Sequence, residues 1–227
     1  YESLRKQVKI ENRLAYARVK GDFSASEFTM ALRASGQTGV MQIDSLVFPG
    51  GISTSAEARI FVKDGTYSIQ DGKLEAGKLS LTAEGTMKQG PPLDVDIVVR
   101  MKNADMQEIL KSMPLAYRDK FRKYSPSGRV TGYVRVCDTV SPSRSPRVEA
   151  EYRLEKCRFR IMNDVYMENL AAKLRFSTGA FHNLRSASVH FSETSFSIGK
   201  SRFSGSLRLE NFVHPSVMLS FKTDADA

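Results

Sequence analysis

Leu93-Asp94-Val95-Asp96-Ile97-Val98-Val99-Arg100-Met101-Lys102 decides the fold. Its odd positions are all apolar and most of its even positions are charged. Side chains on a β-strand change face at every residue, so this spacing predicts a strand with one dry face and one wet face. Arg129 to Cys137 alternates in the same way, with Val130, Gly132, Val134 and Val136 on one side. Val148, Ala150, Tyr152 and Leu154 are interleaved with Glu149, Glu151, Arg153 and Glu155. Further strands are expected at Ile60/Val62, Leu79/Leu81, Leu174/Phe176, Val189/Phe191, Phe203/Leu207/Leu209 and Val217/Leu219/Phe221. Turn formers are expected to separate them at Asp64-Gly65, Asp71-Gly72, Gly90-Pro91-Pro92, Ser125 to Gly128 and His214-Pro215. About a dozen short strands on short links make a mainly β chain, a long curved antiparallel meander.

One stretch departs from this period. Met106, Ile109, Leu110 and Met113 fall at helical spacing behind Asn103 or Asp105, either of which can cap the helix. Pro114 ends or resets it, and Leu115 to Tyr124 fits a second short helix. One or two helices near 105–124 are thus expected as a plug over one end of the sheet. The chain reads as a single β-rich unit over 1–227. A loose internal echo divides it at about 124/125: Tyr67-Ser68-Ile69 and Leu79-Ser80-Leu81 recur as Phe196-Ser197-Ile198 and Leu207-Arg208-Leu209.

An apolar sheet face must be hidden from water or offered to something. Packing on a second sheet, closing into a barrel and curling into an open trough are the three solutions, and physics alone favours the two-sheet sandwich. The candidate lining of a trough is Leu93, Val95, Ile97, Val99 and Met101, with Val130, Val134 and Val136, and Val217, Leu219 and Phe221.

Composition excludes several classes. Hydrophobic residues make up 41% of the 227, enough to fold, and no run approaches the ~18 apolar residues of a membrane-spanning helix. Lys plus Arg outnumber Asp plus Glu by 34 to 25, giving +9. The densest basic cluster is Arg118, Lys120, Arg122 and Lys123. A solvated face is its favoured reading, ahead of contact with anionic lipid; no nucleic-acid signature accompanies it. Two cysteines do not identify a redox compartment. A hairpin turn centred near 142/143 sets Cys137 opposite Val148 and Cys157 near Gly128, too far apart for a disulfide.

Catalytic patterns are poor. His182, His190 and His214 form no metal-ligand spacing and neither cysteine neighbours a histidine. Gly199-Lys200-Ser201 lacks both the upstream glycine and the following helix of a phosphate loop. Asp94 and Asp96 share a wet face, with nothing apolar to raise either pKa. A non-enzymatic chain without catalytic residues, cofactor or metal is expected.

The run Pro92 to Ile97, then Asn103-Ala104-Asp105-Met106-Gln107-Glu108-Ile109-Leu110 and Met113-Pro114, resembles the AsmA-like family, particularly versions from Bacteroidetes-type bacteria. Gly128-Arg129-Val130-Thr131-Gly132 and the closing Phe203 to Leu207, Asn211-Phe212 and Pro215 fit the same pattern. The resemblance covers roughly residues 60–227. It implies an inner-membrane protein anchored by an amino-terminal helix that lies outside this chain, with a periplasmic body built of repeated β units. This chain would then be an internal or carboxy-terminal periplasmic segment of a longer protein. The family is similar to bridge-like lipid-transfer proteins, so the implied role is an apolar β-groove for phospholipid transport or outer-membrane assembly. The alternative is a non-catalytic β scaffold or protein-interaction module of the envelope.

Overall fold

The computed structural model describes residues 8–43 and 46–224. Thirteen strands and two helices follow in order: β1 (Val8–Gly21), β2 (Phe28–Ile43), β3 (Leu46–Phe48), β4 (Ser53–Lys63), β5 (Thr66–Ala76), β6 (Leu79–Lys88) and β7 (Leu93–Asp105), then α1 (Met106–Ser112) and α2 (Leu115–Arg122), then β8 (Ser127–Val140), β9 (Arg147–Met162), β10 (Val165–Ser177), β11 (Ser188–Ile198), β12 (Ser201–Glu210) and β13 (Ser216–Asp224). Twelve strands pair antiparallel in chain order from β1 to β13 in one sheet, with the short β3 paired beside β2. The halves on either side of residue 124 join through β7 and β8 within this sheet. Of the echoed triplets, Tyr67–Ile69 opens β5 whereas Phe196–Ile198 closes β11.

The sandwich is not the fold. All described strands belong to one sheet, and β1 and β13 do not pair, so the sheet is not a barrel either. The surface area agrees. A compact monomer of 25.4 kDa exposes about 10,300 Å² by the usual size scaling. This chain exposes 15578 Å², about half as much again. A sheet with one layer instead of two leaves that excess in water.

Three local expectations need correction. The long strands are not short: they run from 9 to 16 residues. Asp71-Gly72 is not a turn but a bulge inside β5, where the register against β6 shifts between Ile69 and Gly72. There Asp71 ion-pairs with Arg59 on β4, and the strand continues to Ala76. Cys137 faces Arg147, and Val148 faces Val136. The left-handed backbone of Asp138 (φ 90°) lies between these pairs and the Ser141–Arg144 turn, and accounts for the one-residue offset. Cys157 does lie against Gly128, and both cysteines are free thiols.

The bulges are organised. In β7, β9, β10 and β11 the apolar phase steps by three residues instead of two, at Met101/Ala104, Leu154/Cys157, Met167/Leu170 and Phe191/Thr194. Asn103, Lys156, Asn169 and Glu193 each absorb the extra residue in a left-handed conformation, φ 49–53°. A bulge bends its strand, so a row of them across neighbouring strands bends the sheet.

The helices sit beside this row. Asp105 caps α1, its carboxylate accepting from the Gln107 N–H at 2.8 Å. Leu110 is buried, and Met106 packs on the cluster of Cys157, Leu170 and Ala172 with Leu154, Phe159, Met167, Phe191 and Phe196. The Gln107 side-chain amide donates to the carbonyl of Pro126, a fully buried residue. The extended backbone of Met113 ends α1, and the Pro114 carbonyl accepts from Tyr117 and Arg118 to start α2. From there α2 reaches back to touch β3. The pair of helices thus straps one end of the sheet from β3 to β9.

Small-angle X-ray scattering should give a radius of gyration clearly above the ~17 Å of a compact 227-residue domain. A value at the compact figure would mean a second layer. Cys137 is part-exposed and Cys157 fully buried, and burial raises both thiol pKa values. A disulfide reagent should therefore modify one thiol in the folded chain and the second only in denaturant.

Candidate functional site

Register converts alternation into two continuous faces. Residues directly opposite on paired strands project to the same side. One row crosses all twelve strands: Ala17, Ala34, Ala56, Leu74, Leu81, Met101, Gly132, Tyr152, Leu174, Phe191, Leu207 and Leu219. Tyr152 alone carries a polar atom in its side chain, and burial raises its hydroxyl pKa. A parallel row runs Ala83, Val99, Val134, Ala150, Phe176, Val189, Leu209 and Val217.

The sequence-predicted residues fall on this face. Leu93, Val95, Ile97, Val99 and Met101 line β7, with Ile97 opposite Val136 and Val99 opposite Val134 on β8. None of these is fully buried. Val130 is different: it is buried opposite Ala104, at the helix-bearing end where α1 meets β8, and so belongs to the closed core. Val217, Leu219 and Phe221 extend the same face to the edge strand β13, where all three are exposed. Phe221 leans across Gly205 and meets Phe196 from two strands away, ring centroids 5.7 Å apart. Any Cβ at Gly205 would strike that ring, so the missing side chain permits the contact. Gly132 plays the same part beneath the Tyr152 ring.

Sequence reading missed the left half of the row. Its members there are Ala17, Ala34 and Ala56, too small to stand out from their neighbours. Leu74 was passed over because Asp71-Gly72 read as a turn. On the right, Tyr152, Leu174, Phe191 and Leu207 were placed on strands but not in the lining. The signal that would have found them is pairing, which needs the register.

The opposite face carries Arg18, Arg33, Glu57, Lys73, Thr82, Arg100, Tyr133, Glu151, Arg175, His190, Arg208 and Met218 in one row. Several carboxylates of this face are paired. Glu151 pairs with Lys173 (3.1 Å) and Arg175 (2.9 Å), which hold its pKa below the usual range. Asp96 takes both arms of the Arg135 guanidinium at 2.7 Å, and that bidentate bond lowers its pKa. Glu149, Glu151, Arg175, His190, Arg208 and Tyr133 surround a shallow polar depression of about 420 Å³. His190 stands on this wetter face, as the alternation around it indicates. Among the described residues no cluster of three His, Cys, Asp or Glu is placed to hold a metal. No described helix is long and apolar enough to cross a membrane.

Comparison with protein-family models, with curated proteins and with solved structures finds no match for this chain.

The Asp96–Arg135 pair joins β7 to β8 on the wet face, with both side chains nearly half exposed. Solvent therefore screens it, and Asp96→Asn should cost at most about 1 kcal/mol at neutral pH. The folded carboxyl has the lower pKa, so its contribution is complete above the unfolded value of about 3.9 and fades as pH falls through the folded one. Urea midpoints of the wild type and the variant should converge as pH drops below about 4.

Proposed function

We propose that this chain is a non-catalytic periplasmic segment of an AsmA-like envelope protein, and that its apolar sheet face carries phospholipid acyl chains in lipid transport or outer-membrane assembly. One observation supports the reading most: an apolar row crosses twelve strands of the sheet, and among the described residues no second sheet covers it. Uncovered apolar surface is unfavourable by roughly 25 cal/mol per Å². An acyl chain laid on it gains about 0.8 kcal/mol per buried methylene. Leu, Met and Phe side chains grip such a guest without hydrogen-bond geometry, which suits lipids differing in length and headgroup. The wet face, studded with ion pairs, keeps the sheet in solution. The resemblance in Leu93–Pro114 and Gly128–Gly132 points to the same class of protein.

A second reading has its own observation. Among the described residues the edge strand β13 is exposed along its whole length, and β1 is the other edge of the sheet. Either edge can accept a strand from another chain, as in an envelope scaffold or interaction module.

Native mass spectrometry decides between them. The chain, mixed with phosphatidylethanolamine and phosphatidylglycerol vesicles and repurified, should carry phospholipid adducts. Met101→Lys combined with Leu219→Lys, the latter at an exposed position of the row, places two charges on it and should abolish the adducts while circular dichroism stays β-rich. A wild-type chain free of adducts, or a variant that keeps them, sinks the acyl-chain reading. A saturable protein partner without lipid uptake favours the scaffold.

A further inference from the structure

We infer that α2 and the neighbouring β9–β10 turn form a docking surface for an anionic phospholipid bilayer. The helix buries none of its side chains. Tyr117, Phe121 and Tyr124 follow at i, i+4 and i+7 and are 45%, 43% and 38% exposed. The end of β9, beside the β9–β10 turn, exposes Ile161 and Met162, at 40% and 67%. These two patches are locked together. The Arg160 backbone N–H donates to the Tyr124 carbonyl at 2.6 Å, and its guanidinium donates to the Lys123 carbonyl at 2.6 and 3.1 Å. Arg160 thus ties the chain just after α2 to the end of β9, at the end of the sheet where β7 stops and β8 starts.

Charge identifies the occupant. Arg118, Lys120, Arg122 and Lys123 interleave with the aromatics, and the lone acid among them, Asp119, faces Arg118 at 3.6 Å. Among the described residues Lys120, Arg122 and Lys123 form no ion pair, and Lys123 instead sits 4.9 Å from the Tyr124 ring centre. Rings flanked by long cationic side chains match a bilayer interface, where tyrosine and phenylalanine enter the headgroup region and Lys and Arg meet anionic phosphates. The +9 charge of the chain draws it to the same surface. Docked here, the strands would rise away from the membrane. This surface shares no residue with the apolar rows of the sheet, and the two readings stand or fall separately.

The test uses the full 227-residue chain with vesicles of phosphatidylcholine alone and of phosphatidylcholine with one third phosphatidylglycerol. The chain has no tryptophan, so Phe121→Trp supplies a single clean reporter. Its emission should shift to the blue with anionic vesicles, less so with neutral ones, and the shift should weaken as salt is raised. Lys120→Gln, Arg122→Gln and Lys123→Gln together should weaken partitioning roughly a hundredfold at low salt. Tyr117→Ser with Tyr124→Ser, made beside the Phe121→Trp reporter, should weaken it as well, both sets retaining the wild-type circular dichroism. An unshifted emission, equal affinity for neutral vesicles, or undiminished binding by the charge variant overturns the proposal. Tighter binding to duplex DNA or RNA than to anionic vesicles at the same salt also overturns it. A chain that docks but carries no phospholipid adduct keeps this inference and sinks the acyl-chain reading; adducts without docking do the reverse.

Discussion

A strand side chain changes face with each residue, so one dry face across twelve strands requires eleven successive pairings to hold register. A single uncompensated slip would send every apolar side chain beyond it to the water side. The coordinated bulges are the means of avoiding this. Where β9 gains a residue between Leu154 and Cys157, β10 gains one between Met167 and Leu170, and β11 between Phe191 and Thr194. Each of these strands changes phase at that line while β8 and β12 keep theirs, and the apolar residues stay on one side. Left-handed Asn103 and Asn169 suit their sites, since asparagine tolerates that conformation; Lys156 and Glu193 adopt it with less intrinsic preference.

Much of this architecture was legible in the residues. Alternation placed the strands around Leu93–Lys102, Arg129–Cys137 and Val148–Glu155, and the Asp105/Pro114 signals placed both helices. The three-residue phase steps were equally present in the sequence. A local period-two reading cannot tell whether such a step ends a strand or bulges it, and so Asp71-Gly72 looked like a turn. The number of layers was not legible at all. Alternation states that a face is apolar but contains nothing about what covers it, and a sandwich and an open sheet share the same local pattern.

Energetically the molecule has two regimes. Beneath α1, Cys157, Leu170 and Ala172 make a closed core with Met106 and the rings of Phe159, Phe191 and Phe196. Elsewhere stability comes from backbone ladders and from half-buried neighbours on adjacent strands, each pair contributing roughly 0.2–1 kcal/mol. The surface ion pairs add little individually. Their greater effect is on partition between faces: an inverted register would separate Glu57, Arg100, Glu151 and Arg175 from their partners and set them among apolar neighbours.

Side-chain size varies along the apolar row, and the variation has a direction. Ala17, Ala34 and Ala56 line its first three strands, whereas Tyr152, Leu174, Phe191, Leu207 and Leu219 fill the last five. The thickening holds along this one row; beside it on β2 and β4 the same face carries Leu32, Met30 opposite Ile60, and Phe28 opposite Val62. In a packed two-layer core such a gradient would have to be matched by complementary bulk on the facing layer, because interiors are filled to near-crystalline density. Here no facing layer among the described residues demands that match. A rigid protein surface laid along this row would have to reproduce the gradient, whereas a flexible chain of methylenes would adapt to it, which supports the proposed acyl-chain reading over a folded partner.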